Sequence, residues 1–110
     1  MNLFRSALLA AALALPGSAF AAISLNCAAS VCSASVSSPG SPTPFQYNWT
    51  WAYAPGAPHV SITWPYQCDG TLNCFFNCAN NTTLNVTFTA RDANGTLIGT
   101  ATEPLWCSLD

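Results

Sequence analysis

Positive charge is almost missing from this chain. Its 110 residues hold two arginines, Arg5 and Arg91, and no lysine, against four carboxylates, Asp69, Asp92, Glu103 and Asp110. Phosphate backbones are gripped by clustered Lys and Arg that displace counterions, so nucleic acid is excluded as a partner, and an anionic membrane surface with it. Histidine is scarce too: His59 is the only one. It sits beside a proline turn with no acidic neighbour in sequence, which leaves it without the partner that a general base or an activated nucleophile requires. Neither Gly-x-Ser-x-Gly nor His-Glu-x-x-His occurs. The four carboxylates give no pair for glycoside hydrolysis, because Asp92 and Asp69 stand at glycine-containing turns and Asp110 is terminal. The expectation is a protein that is not an enzyme and carries no cofactor.

Long apolar runs are also lacking. Ala7 to Leu15 is unbroken but falls short of the roughly 20 residues that a bilayer-spanning helix needs. Arg5 precedes that run, and Pro16-Gly17-Ser18 leads from it into Ala19-Phe20-Ala21, a small-x-small cleavage site. Residues 1–21 therefore read as a secretory signal peptide of bacterial type. Cleavage leaves residues 22–110, which is 110 − 21 = 89 residues and room for a single domain with no later membrane span. A secreted or periplasmic location follows.

What the chain does have is cysteine, aromatic side chains and uncharged polar ones. Cys27, Cys32, Cys68, Cys74, Cys78 and Cys107 all follow the signal, an even number in a short exported chain, and imply three disulfides. A domain of this size buries only about 60–65% of its unfolded surface, so such bridges supply stability that the core alone does not. Zinc at Cys74-Phe75-Phe76-Asn77-Cys78 is the weaker reading, since exported thiols meet oxidants and the spacing fits no common zinc pattern. Calcium at Asp92 and Asn94 would have two oxygen ligands where that ion takes six to eight.

Hydrophobic periodicity gives strands. Leu84, Val86, Phe88 and Ala90 alternate with Asn85, Thr87, Thr89 and Arg91, and after the turn Asp92-Ala93-Asn94-Gly95 the alternation resumes at Leu97 and continues toward Cys107. Phe45, Tyr47, Trp49, Trp51 and Tyr53 occupy every second position of another strand, so all five rings share a face. Shorter strands are expected at Ile23–Asn26, Val31–Val36, Val60–Tyr66 and Cys74–Cys78, with tight turns at Ala28–Ser30 and Asp69-Gly70. Pro65 places the Val60–Tyr66 strand at an edge. The sum is an all-β chain of about seven antiparallel strands.

The run from Ser38 to Trp49, SPGSPTPFQYNW, resembles the loop and strand of bacterial immunoglobulin-like and PKD-type domains, where a Gly/Pro loop leads into a strand with a buried Trp. Val86 to Gly95, VTFTARDANG, is similar to the strand and turn that close those domains. Ala54-Pro55-Gly56-Ala57 replaces the acidic turn usual in PKD-type domains, and Val86 and Phe88 stand where antibody-like domains carry a bridging cysteine. The resemblance thus implies a general immunoglobulin-like antiparallel β-sandwich. In that topology Cys27, Cys32, Cys78 and Cys107 lie at one end and Cys68 and Cys74 at the other. The path favours Cys68–Cys74, Cys27–Cys32 and Cys78–Cys107, one of the 15 connectivities that six cysteines allow.

Such sandwiches host many roles, so function has to come from particular residues. The first expectation is a monomeric binding or adhesion module for a surface polysaccharide or protein. Its aromatic contacts would come from Phe45, Tyr53, Trp64, Tyr66 and Trp106. The alternative is a small disulfide-rich inhibitor or toxin-like effector acting through a protruding Gln67–Asn73 loop.

Overall fold

The computed structural model describes residues 21–63 and 68–108. They form eight strands: β1 (Ala22–Ala28), β2 (Val31–Ser37), β3 (Gln46–Tyr53), β4 (Ile62–Thr63), β5 (Asn73–Phe75), β6 (Asn77–Cys78), β7 (Thr82–Arg91) and β8 (Leu97–Cys107). Every pairing is antiparallel, in three sheets ordered β1-β2-β5, β3-β7-β8 and β4-β6. The all-β, antiparallel expectation holds, with eight strands in place of about seven and three open sheets in place of two.

β7 is the axis of the larger sheet because both its neighbours find ladder partners along nearly its whole length. Gln46 to Tyr53 pair with Arg91 to Leu84 on one side, and Thr82 to Arg91 pair with Cys107 to Leu97 on the other. Its inward residues Leu84, Val86, Phe88 and Ala90 are all fully buried. The ladder slips between Ala90 and Arg91, so Ile98 has no partner of its own and the hairpin twists before its turn. At that turn the Asp92 carboxylate accepts the amides of Asn94 (2.8 Å) and Thr96 (3.0 Å), and Gly95 takes φ +87°. Asp92 is thus committed to holding the hairpin closed, as the turn pattern implies.

Both three-stranded sheets face one core. Leu25 and Cys32 from the first meet Trp49, Phe88 and Leu105 from the second, with Trp49 and Phe88 ring centroids 4.8 Å apart. Close approach of β1 to β8 depends on Gly99, where an added Cβ would sit 3.1 Å from Ile23 Cδ1.

Two expected strands are altered. Cys74 to Cys78 keeps its alternation of buried and exposed residues, yet the chain changes sheets at Phe76, whose amide bonds Ser30 O. β5 therefore pairs with β2, whereas β6 pairs with β4. Within the described part of the Val60–Tyr66 strand, Ile62–Thr63 alone is in a ladder; Trp64 to Gln67 lie outside the described residues. Ahead of Ile62, the carbonyls of Pro58 and Val60 accept the hydroxyls of Thr82 and Tyr53, so side chains have replaced the ladder there.

All six cysteines are bridged, as Cys27–Cys32, Cys68–Cys74 and Cys78–Cys107. The pairing agrees with the favoured one. The placement does not, because Cys32 is the register partner of both Cys27 and Cys74, so Cys68–Cys74 shares a row with Cys27–Cys32 and does not mark the opposite end.

The two-residue turn between β1 and β2 is unusual chemically. Ala29 and Ser30 take φ +52° and +73°, a left-handed conformation that normally selects Asn or Gly. Ser30 is held by its neighbours: its amide donates to Trp106 O, its carbonyl accepts from Phe76 N, and its hydroxyl accepts from Ser108 N at 2.9 Å. Ala29 is exposed and carries only the steric cost. Ala29→Asn should therefore raise stability by about 0.5–1 kcal/mol, seen as a higher urea midpoint with unchanged slope. A lower midpoint would show that the turn does not prefer a left-handed residue in solution.

Candidate functional site

Of the five rings expected to serve recognition, the three described ones, Phe45, Tyr53 and Trp106, do not share one platform. Phe45 is half-buried just ahead of β3, where Gln46 pairs with Arg91, whereas Trp106 pairs with Thr83. Eight residues of β7 separate those rows, a distance of about 26 Å at 3.3 Å per residue. Tyr53 is occupied locally: its ring stacks on His59 at 4.1 Å and 13°, meets Trp51 edge-on at 5.1 Å, and its hydroxyl donates to Val60 O. Trp64 and Tyr66 lie outside the described residues. Of the three that are described, Trp106 alone is an exposed large side chain, at 56% of its surface.

The loop assigned to an inhibitor is bonded down along its described part. Gly70 N donates to Tyr47 O, Trp49 N to Asp69 Oδ1 and Trp49 Nε1 to Thr71 O, each at 2.9 Å, while Leu72 O accepts from Ala34 N. Residues 68–72 thus cover the free edge of β3 and link it to β2. Asp69 is spent on the Trp49 amide, and among the described residues no three of His, Cys, Asp or Glu converge on one point.

What remains open is the outer face of β3-β7-β8. Because Leu105 and Cys107 are buried, strict alternation turns Thr100, Thr102, Pro104 and Trp106 of β8 outward, and the same rule turns out Thr83, Asn85, Thr87 and Thr89 of β7. In register these side chains make rows: Asn48–Thr89–Thr100, Thr50–Thr87–Thr102, Ala52–Asn85–Pro104, and Thr83–Trp106 at the end. Rows of this kind repeat about every 6.6–6.8 Å along a strand, with neighbours about 4.8 Å apart across it. Thr87 and Thr102 share a hydroxyl–hydroxyl hydrogen bond of 2.8 Å, so part of the lattice is already ordered. The one charge on the face is Arg91, at the far margin, where its guanidinium donates to Gly95 O.

Sequence reasoning named Trp106 but missed its surroundings, and it missed a second exposed pair. Val31 and Phe75 are cross-strand partners, and Phe75 is 51% exposed. Both are out of phase with the buried Cys32 and Cys74, a signal that was available in the residues. Searches against protein-family models, curated proteins and solved structures return no match for this chain.

Proposed function

We propose that the chain is an exported, non-enzymatic binding module that engages a surface polysaccharide or protein through the outer face of β3-β7-β8. The observation that carries this reading is Trp106. A large ring left mostly in water, on a strand whose next residue is bridged by Cys78–Cys107, is an exposed contact carried on a backbone that is already tied down. Export is supported by the oxidised state of all six cysteines, which persists in oxidising compartments and is rare elsewhere. The immunoglobulin-like reading of the fold draws support from two antiparallel three-stranded sheets that share one core around Trp49.

The test is retention of the oxidised protein on insoluble polysaccharides and on cell-surface extracts, compared among wild type, Trp106→Ala and Tyr53→Ala. Loss of retention in Trp106→Ala with retention kept in Tyr53→Ala is the expected result. Equal retention of wild type and Trp106→Ala would remove the face from consideration.

A further inference from the structure

We infer that the ligand of this face is a neutral polysaccharide, lying along the strands with a sugar ring stacked on Trp106; the inference rests on the binding-module reading above.

Three observations carry it. The first is the donor and acceptor chemistry of the face. Thr83 stands across from Trp106; one row on, Asn85 pairs with Pro104, and the row after that holds Thr87 and Thr102. The Thr and Asn side chains both donate and accept, which is the character of a sugar hydroxyl, and none of the four is ionised. The second is charge. An anionic polymer would look for clustered cations, and the face offers Arg91 alone, already bonded to Gly95 O and eight residues of β7 away from Thr83. The third is shape. Three rows across three strands and a fourth, Thr83–Trp106, across two make a shallow surface with Trp106 standing at one end, suited to an extended chain whose pyranose ring packs flat on an indole. A protein ligand would be expected to bury apolar anchors; beside Trp106 the rows offer it Ala52 and Pro104 among Thr and Asn.

The Thr87–Thr102 hydrogen bond does not disable the pair. One hydroxyl donates to the other, and the acceptor keeps its own proton to give outward.

The experiment is affinity gel electrophoresis of the oxidised protein in neutral glucans, mannans and soluble chitin derivatives, beside polygalacturonate and alginate, each at low and high salt. Extracted cell-surface protein is immobilised in a parallel arm. Retardation by at least one neutral polymer, indifferent to salt and competed by its own oligosaccharides, is expected. Trp106→Ala should then weaken binding about tenfold or more, whereas Trp106→Phe, which keeps a ring, should retain most of it. The double variant Thr87→Val, Thr102→Val keeps shape and removes the hydroxyls, and should weaken binding several-fold with an unchanged circular-dichroism spectrum. Arg91→Gln should change nothing. Retardation only by the acidic polymers, reversed by salt, or retention only on the extracted protein would overturn the neutral-glycan inference and leave the binding-module reading standing. No retention in any arm would overturn both.

Discussion

Replacing Cys78 and Cys107 together by alanine should lower the unfolding free energy by about 3.5 kcal/mol, roughly 1.5 kcal/mol more than the same replacement of Cys27 and Cys32. The difference follows from chain length. The Cys78–Cys107 bridge spans 29 residues and Cys27–Cys32 only 5, so opening the longer loop returns more freedom to the unfolded chain. Context works in the same direction. Cys27 and Cys32 are already register partners in a two-residue hairpin, whereas Cys78 belongs to the small β4-β6 sheet and Cys107 to β8. Removing that bridge cuts a covalent tie between two sheets. Urea titrations without reductant measure both variants, and limited proteolysis should find new cleavage near β4 and β6 in the first only. Equal losses for the two bridges would mean that loop length does not govern their contribution.

The parts of the fold that sequence made legible are those where one residue type has one use. The β7–β8 hairpin could be read because its inward positions alternate with Thr and Asn on the way into Asp92-Ala93-Asn94-Gly95, and the structure keeps both ladder and turn. The β3 rings share a face as the period of two requires, with Tyr47 half-buried and Trp49 buried against Phe88. What was not legible depends on partners far along the chain. Nothing in the alternation from Cys74 to Cys78 marks the change of sheet at Phe76, because it is set by hydrogen bonding to Ser30. Likewise the left-handed Ala29 and Ser30 defy local preference, and it is Ser30 that Trp106, Phe76 and Ser108 hold in place.

The site was readable in the same uneven way. Exposed rings could be listed, but which of them share a surface is a matter of register and of turns: register separates Phe45 from Trp106, and the chain after β3 stacks His59 on the half-buried Tyr53. The outer Thr and Asn positions look, in one dimension, like the soluble side of a strand. Only the pairing of three strands aligns them into rows beside an exposed tryptophan. The Gln67–Asn73 loop shows the converse: its polar composition suggests a free loop, yet Asp69, Gly70 and Thr71 are hydrogen-bonded to β3.

Trp49→Ala should cost about 4 kcal/mol, a large share of the stability of a domain this small. The indole is 2% exposed and packs on Phe88, so its removal leaves a cavity between the sheets that β-ladders on either side prevent from closing. It also strips Thr71 O of its donor and loosens the 68–72 cover from the edge of β3. Trp49→Phe separates the two effects. It keeps most of the volume but loses the N–H donor, and should cost about 1–2 kcal/mol while speeding amide exchange at Gly70, whose proton goes to Tyr47 O. Trp106→Ala, the same deletion at an exposed position, should stay within about 0.5 kcal/mol of wild type. Urea denaturation followed by far-ultraviolet circular dichroism measures all three. If Trp49→Ala fell as close to wild type as Trp106→Ala, the two tryptophans would not differ in burial, and neither the core nor the binding face could be where it is placed.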